Sequence, residues 1–180
     1  MPFYFPPPAA RCPVVCAIHD VLVLEHPEWF PRPWADITGW LIRHGAARAE
    51  AIVTASEYVA ERIVSLCRVP KQRIEVMPYG VDREIFGRPS RGEINAVLAR
   101  CGVDSPFVLQ VGSFERRRGL DLTLRAVEAI RRENPNMILV LIGEARDRVE
   151  ELVDPPSWVR CLGRVDDVFL LAFVAGTAAV

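Results

Sequence analysis

Glycine and arginine fall together at one place in this chain in an order suited to holding an anion. Phe107 to Ile130 reads FVLQVGSFERRRGLDLTLRAVEAI. An apolar run from Phe107 to Val111 is short enough for a strand buried on both faces, and Gly112 ends it. Glu115, Arg116, Arg117, Arg118 and Gly119 follow, and then Leu120, Leu124, Val127 and Ile130 recur four and three apart, as on the buried stripe of a helix. A glycine at such a turn lets a ligand approach the backbone. The helix start offers free N–H groups, and arginine forks add fixed positive charge. The natural guest is a phosphate or diphosphate, although three arginines in a row also fit a solvated surface loop. A second polar pair, His19 and Asp20, follows the β-favouring run Val14 to Ile18, at the carboxyl end of an expected parallel strand, where open α/β sheets bind ligands. Taken alone, His19 fits a core or capping histidine equally well, and Asp20 fits a turn or cap.

The elements that would position these residues alternate strand and helix. Ala51 to Thr54 is a short strand, Ser56 stands at an N-cap position, and Glu57 to Cys67 carries Val59, Ile63 and Leu66 at helical spacing. Arg73 to Met77 is a third strand, running into the turn Pro78–Asp82. Between the first two strands lies the proline-rich loop Glu25 to Pro33, in which Trp29 and Phe30 are expected to anchor in a core. Trp34 to Ala49 is expected to be a helix with Ile37, Trp40, Leu41 and His44 on one face and Arg43 and Arg48 toward solvent. After the basic loop, Met137 to Ile142 is another strand ending at Gly143, a residue that leaves room for a ligand. Trp158 to Leu162 is a further short strand before Gly163, Val168 to Phe173 a helix, and Thr177 to Val180 the start of one more strand. The pattern is that of α/β units with parallel sheets.

Composition narrows the classes. The 180 residues suffice for one domain or two small ones, and half are hydrophobic, which argues against disorder. No uninterrupted apolar run reaches the roughly 20 residues that cross a bilayer. The start, MPFYFPPPAARCP, lacks the charged region and apolar core of a signal peptide, so a cytoplasmic location is expected. A net charge of −1 disfavours nucleic acid as a partner. Five cysteines, an odd number without paired zinc spacing, are expected as reduced and mostly buried thiols, and no metal site is expected.

Six segments in order resemble retaining glycosyltransferases of family 4. MPYGVDREIF resembles the family's NGVD segment followed three residues later by phenylalanine, with Tyr79 where asparagine is common; IHDVLVLEHPEWF resembles its histidine–aspartate strand end. IVTASEYVAERI resembles its strand and serine-capped helix, VGSFERRRGLDLTLRAV its donor-diphosphate loop, and VLIGE and CLGRVDD continue the match. The resemblance implies a GT-B architecture built from Rossmann-like domains. Residues 1–86 are expected as the back half of an acceptor-side domain, 87–106 as an interdomain linker and 107–180 as the front half of a donor domain, the whole being an internal segment of such an enzyme.

The activity implied is transfer of a sugar, with retention, from a nucleotide-sugar donor such as GDP-mannose or UDP-glucose to a glycan or lipid-linked acceptor. The resemblance implies no cofactor or metal, a mannosyltransferase-like chemistry and peripheral membrane contact. It also assigns roles. Gly112, Arg117 and Arg118 would hold the donor diphosphate, His19 would lie near the transferred sugar with Asp20 orienting its surroundings, and Ser113, Gly143, Glu144 and Arg164 are further donor-site candidates. The competing expectation is a nucleotide- or phosphate-binding module without catalysis, or an inactive truncated remnant.

Overall fold

Short β-branched runs between helices become two parallel sheets. The structure, a computed structural model, describes residues 12–82, 89–104, 106–144 and 154–177, with the backbone alone at Arg116. It divides into two units, one through Gly80 and one from Val81. Part of the MPYGVDREIF segment and the strand expected at Thr177 to Val180 lie outside the described residues, except that Thr177 closes a helix.

In the first unit β1 (Val15–Ala17), β2 (Ala51–Thr54) and β3 (Ile74–Val76) pair in that order, all parallel. Helix α1 (Leu22–Glu25) and a single 3-10 turn follow β1; α2 (Arg32–Arg48) leads to β2, and α3 (Glu57–Cys67) leads away from it. Helix α3 starts where its serine predicts: Ser56 Oγ accepts the Val59 N–H at 3.3 Å. It ends at Arg68, held at φ 56°. The Arg73 guanidinium donates to the Ala46, Ala47 and Ala49 carbonyls, satisfying the open end of α2 from the loop before β3.

The face of α2 that packs is the opposite of the one hydrophobicity selects. Ala35, Thr38, Gly39, Ile42, Gly45 and Ala46 are buried, whereas Ile37 and Trp40 are 59% and 60% exposed and His44 stacks on Trp40 in solvent. Small residues win that face because they let the helix lie close to its neighbours; a Cβ on Gly39 would come within 3.1 Å of Leu24 Cδ2 on α1. The aromatic anchors divide in the same way. Phe30 packs against the core, while Trp29 is half exposed and stacks on His26. The core itself joins Ile18, Val21, Ile42, Ile52 and Ile63, each worth about 1.5–3 kcal/mol when fully buried.

Thr54, at the end of β2, is 1% exposed, and its hydroxyl finds no partner among the described residues. A buried unsatisfied hydroxyl costs roughly 1–3 kcal/mol. Thr54→Val should therefore leave stability unchanged or raise it by about 1 kcal/mol, as read from the denaturant midpoint. A comparable loss would show that the hydroxyl has a partner.

The second unit repeats the scheme. Strands β4 (Phe107–Val111), β5 (Ile138–Ile142) and β6 (Val159–Gly163) pair in order and in parallel, with α5 (Leu120–Arg131) between β4 and β5. One side of the sheet buries Phe114, Leu120, Val127, Leu139 and Leu141 beneath α5. The other buries Val140, Ile142, Val97 and Phe173 beneath α4 (Arg91–Arg100) and α6 (Asp167–Thr177). Helix α4 opens with a reciprocal capping box between Ser90 and Glu93. Much of the segment expected as a linker, 87–106, is thus built into the core of this unit. All five cysteines are free thiols, but only Cys16 is buried, and burial pushes its pKa up; Cys12 and Cys161 are exposed.

Candidate functional site

The histidine strand end belongs to the first unit. Ile18 N donates to Val53 O at 2.9 Å, carrying the sheet one residue beyond β1 before His19 and Asp20 leave it, both exposed. Asp20 Oδ1 accepts the Leu22 N–H at 3.1 Å, a turn that starts α1. His19 is met from the far side of the sheet. Tyr79, beyond β3, places its hydroxyl 2.7 Å from His19 Nδ1, with the two ring centroids 5.7 Å apart. Sequence reasoning noted Tyr79 only as a departure from a family pattern. The signal that links it to His19 is that both follow the carboxyl ends of parallel strands of one sheet.

In the second unit three glycines lie side by side across the carboxyl ends of the strands. Gly112 N donates to Ile142 O at 2.9 Å, and Gly143 N donates to Gly163 O at 2.8 Å. Gly112 has φ 131° and Gly143 φ 141°, conformations that side chains rarely adopt. The two differ in why they must be glycine. A Cβ on Gly143 would fall 1.8 Å from Gly112 O, so Gly143 is demanded by the neighbouring backbone. A Cβ on Gly112 would meet nothing nearer than the Arg118 guanidinium at 3.8 Å, so Gly112 faces open space beside a cation.

The loop from Gly112 to α5 is held by its own polar groups. Phe114 N donates to Glu144 O at 3.0 Å, and buried Phe114 pins the loop to the core. The residues Arg116–Arg118 form a 3-10 turn closed by Arg118 N donating to Glu115 O at 2.8 Å. Gln110 Nε2 reaches the Arg118 carbonyl at 3.4 Å. Gly119, at φ 66°, starts α5 with no side-chain cap, so the first N–H groups of that helix are left for another acceptor.

The arginines of this turn are not equivalent. Glu115 accepts from Ser113 Oγ at 2.8 Å and from Arg117 Nε at 2.6 Å, and both members of that ion pair are largely buried. Burial pushes the Glu115 carboxyl up, but the Ser113 hydroxyl and the Arg117 and Arg118 charges outweigh it and hold the group below the ordinary carboxylate range. Glu115 is therefore ionised at neutral pH, and Arg117 and Ser113 are both engaged by it. Arg118 is exposed, lies next to Gly112, and pairs with no carboxylate among the described residues. Of the remaining candidates, Glu144 contributes its carbonyl to the loop, and its side chain is exposed. Arg164 follows Gly163 along the same row of strand ends, also exposed. The uncapped start of α5 thus offers backbone N–H groups to an anion, Gly112 leaves room for it, and Arg118 adds a guanidinium with no salt-bridge partner among the described residues.

Comparison with known proteins bears on the fold. Residues 2–85 match the model described as Glycosyltransferase Family 4. A D-inositol 3-phosphate glycosyltransferase of Xylanimonas cellulosilytica is 30% identical over 76% of this chain and 34% of its own length. An alpha-D-kanosaminyltransferase of Streptomyces kanamyceticus is 24% identical over 78% of this chain and 38% of its own. The chain thus spans little more than a third of these curated relatives. Among solved structures, Anabaena HepE in complex with UDP-glucose superposes with a TM-score of 0.69 at 18% identity, over 92% of this chain and 45% of that one. A glycosyltransferase of Rickettsia africae gives 0.59 at 15% identity, over 89% and 42%. Residues 2–85 therefore match Glycosyltransferase Family 4, and the two parallel α/β units have the fold of GT-B glycosyltransferases.

Proposed function

We propose that this chain is part of a retaining GT-B glycosyltransferase and that the Gly112–Gly119 loop holds the diphosphate of a nucleotide-sugar donor. The observation that carries the reading is the Arg118 guanidinium, in no salt bridge among the described residues, beside the open space at Gly112 and the uncapped start of α5. In transfer, the bond from the sugar's anomeric carbon to the diphosphate oxygen breaks and a bond to the acceptor oxygen forms on the same face. The acceptor proton leaves with the diphosphate. Negative charge grows on the departing oxygen, where a guanidinium and aligned N–H groups lower the barrier most. Arg117, held by Glu115, shapes the loop and adds field at longer range. His19 stands ready to bind a sugar hydroxyl, and Asp20 supports the turn that carries it.

The relatives' names, an inositol phosphate glycosyltransferase and a kanosaminyltransferase, support sugar transfer, and the UDP and UDP-glucose bound by HepE support a nucleotide-sugar donor. A glycan or lipid-linked acceptor, a GDP-mannose or UDP-glucose donor, a cytoplasmic site and peripheral membrane contact complete the reading. The test is to incubate the polypeptide encoded by the whole gene with nucleotide-sugars and follow released nucleoside diphosphate and the anomeric proton of the product. Release of diphosphate with a retained anomer is expected. Binding of nucleoside diphosphate without transfer to any acceptor would favour the binding-module alternative, and an inverted anomer would overturn retention.

A further inference from the structure

We propose that Tyr79 positions His19, fixing its ring and its tautomer so that Nε2 carries the proton and is presented as a hydrogen-bond donor at the strand ends. Strands β1 and β3 are separated by β2, so the residues that follow them start about two strand spacings, or roughly 9.5 Å, apart. A tyrosine ring is long enough to reach across the end of β2 and bring its hydroxyl to 2.7 Å from His19 Nδ1. An asparagine at this position, the type common in the resembled family, has a side chain too short to do so.

Direction follows from chemistry. A neutral imidazole has one donor and one acceptor nitrogen, and a phenol, whose oxygen lone pair is drawn into its ring, donates more readily than it accepts. Tyr79 O–H therefore donates to Nδ1, and the proton resides on Nε2. Nε2 has no hydrogen-bond partner among the described residues, so its N–H is available to a ligand oxygen. Asp20, the neighbouring carboxylate, is occupied with the Leu22 N–H. The role thus falls to a residue 60 positions away in the chain.

The substitution Tyr79→Phe removes only the hydroxyl, and Tyr79 is 69% exposed, so the core is untouched. The readout is the long-range proton–nitrogen NMR spectrum of the imidazole rings in the full chain at alkaline pH. His19 would be assigned among the three histidines by its loss in His19→Gln. The wild-type spectrum should show His19 protonated on Nε2 with Nδ1 as acceptor. In Tyr79→Phe the His19 signals should move toward a tautomer mixture, while those of His26 and His44 stay in place. A proton on Nδ1 in the wild type, or identical His19 signals in both proteins, would overturn the assignment.

The kinetic arm rests on the function proposed above. There, Tyr79→Phe should lower kcat by about three- to tenfold, the scale of one hydrogen bond, with the donor KM within about twofold. An unchanged kcat would refute the positioning role. Absence of turnover with every donor would instead refute the proposed function and leave the tautomer measurement to decide the role of Tyr79.

Discussion

Replacing Arg118 with alanine in the whole gene product should lower turnover by about a hundred- to a thousandfold, the roughly 2.7–4 kcal/mol of one preorganised oxyanion donor. Donor KM should change much less. The contact strengthens as charge builds on the leaving diphosphate, so its loss is felt mainly in the transition state. The structure separates Arg118 from its neighbour. Arg117 is bound by Glu115, so Arg117→Ala should loosen the loop and cost less turnover, with part of the loss appearing as lowered stability. Arg116→Ala is the control, outside the pair to which the resemblance gives a diphosphate role, and should cost under about tenfold. Steady-state kinetics on the three variants would check the order. Equal small effects would return the turn to a solvated run of charge.

Gly143→Ala should be the most damaging single methyl in the second unit. Its Cβ would fall 1.8 Å from Gly112 O and 2.7 Å from Gly112 C, both backbone atoms that no rotamer change can move. The bond from Gly112 N to Ile142 O would have to open, separating β4 from β5 at their carboxyl ends. With the strain of φ 141° added, a loss on the order of 4 kcal/mol is expected. Gly112→Ala is the comparison. It carries the strain of φ 131° but meets only the movable Arg118 guanidinium, so it should cost about 1–3 kcal/mol and act chiefly on ligand binding. Denaturant unfolding of the two variants measures the difference; equal stabilities would contradict the close approach of the two glycines.

Much of this fold was legible because its strands are compact apolar runs and its helices carry clear starts. Ala51–Thr54 and the Ser56 cap of α3 stand where the residues place them, and the β4–loop–α5 unit begins and ends within a residue of its expected bounds. Helix α2 was misread for a physical reason. Trp34, Ile37 and Trp40 form an exposed stripe, while Ala, Gly and Thr, with Ile42 the one large apolar residue among them, supply the packed face. Hydrophobicity ranks side chains by size, whereas close helix packing here selects for smallness. At the candidate site, spacing singles out the glycine and the arginines but does not distinguish Arg117 from Arg118, because the distinction is made by Glu115 folding back on its own loop. Nor could it show that Gly143 is required by Gly112 or that Tyr79 reaches His19. Both depend on the lateral order of strands, which no local pattern encodes.

Arg118 and the free N–H groups at the start of α5 are proposed to hold a diphosphate in the space that Gly112 leaves open. Calorimetric titration of the whole gene product with UDP and GDP, each against its monophosphate, tests this most directly. The diphosphate of the preferred base should bind at least about tenfold more tightly than the monophosphate, the effect of about one charge-assisted hydrogen bond, and Arg118→Ala should abolish most of that preference while leaving monophosphate affinity nearly unchanged. A diphosphate preference that survives intact in Arg118→Ala would contradict the account.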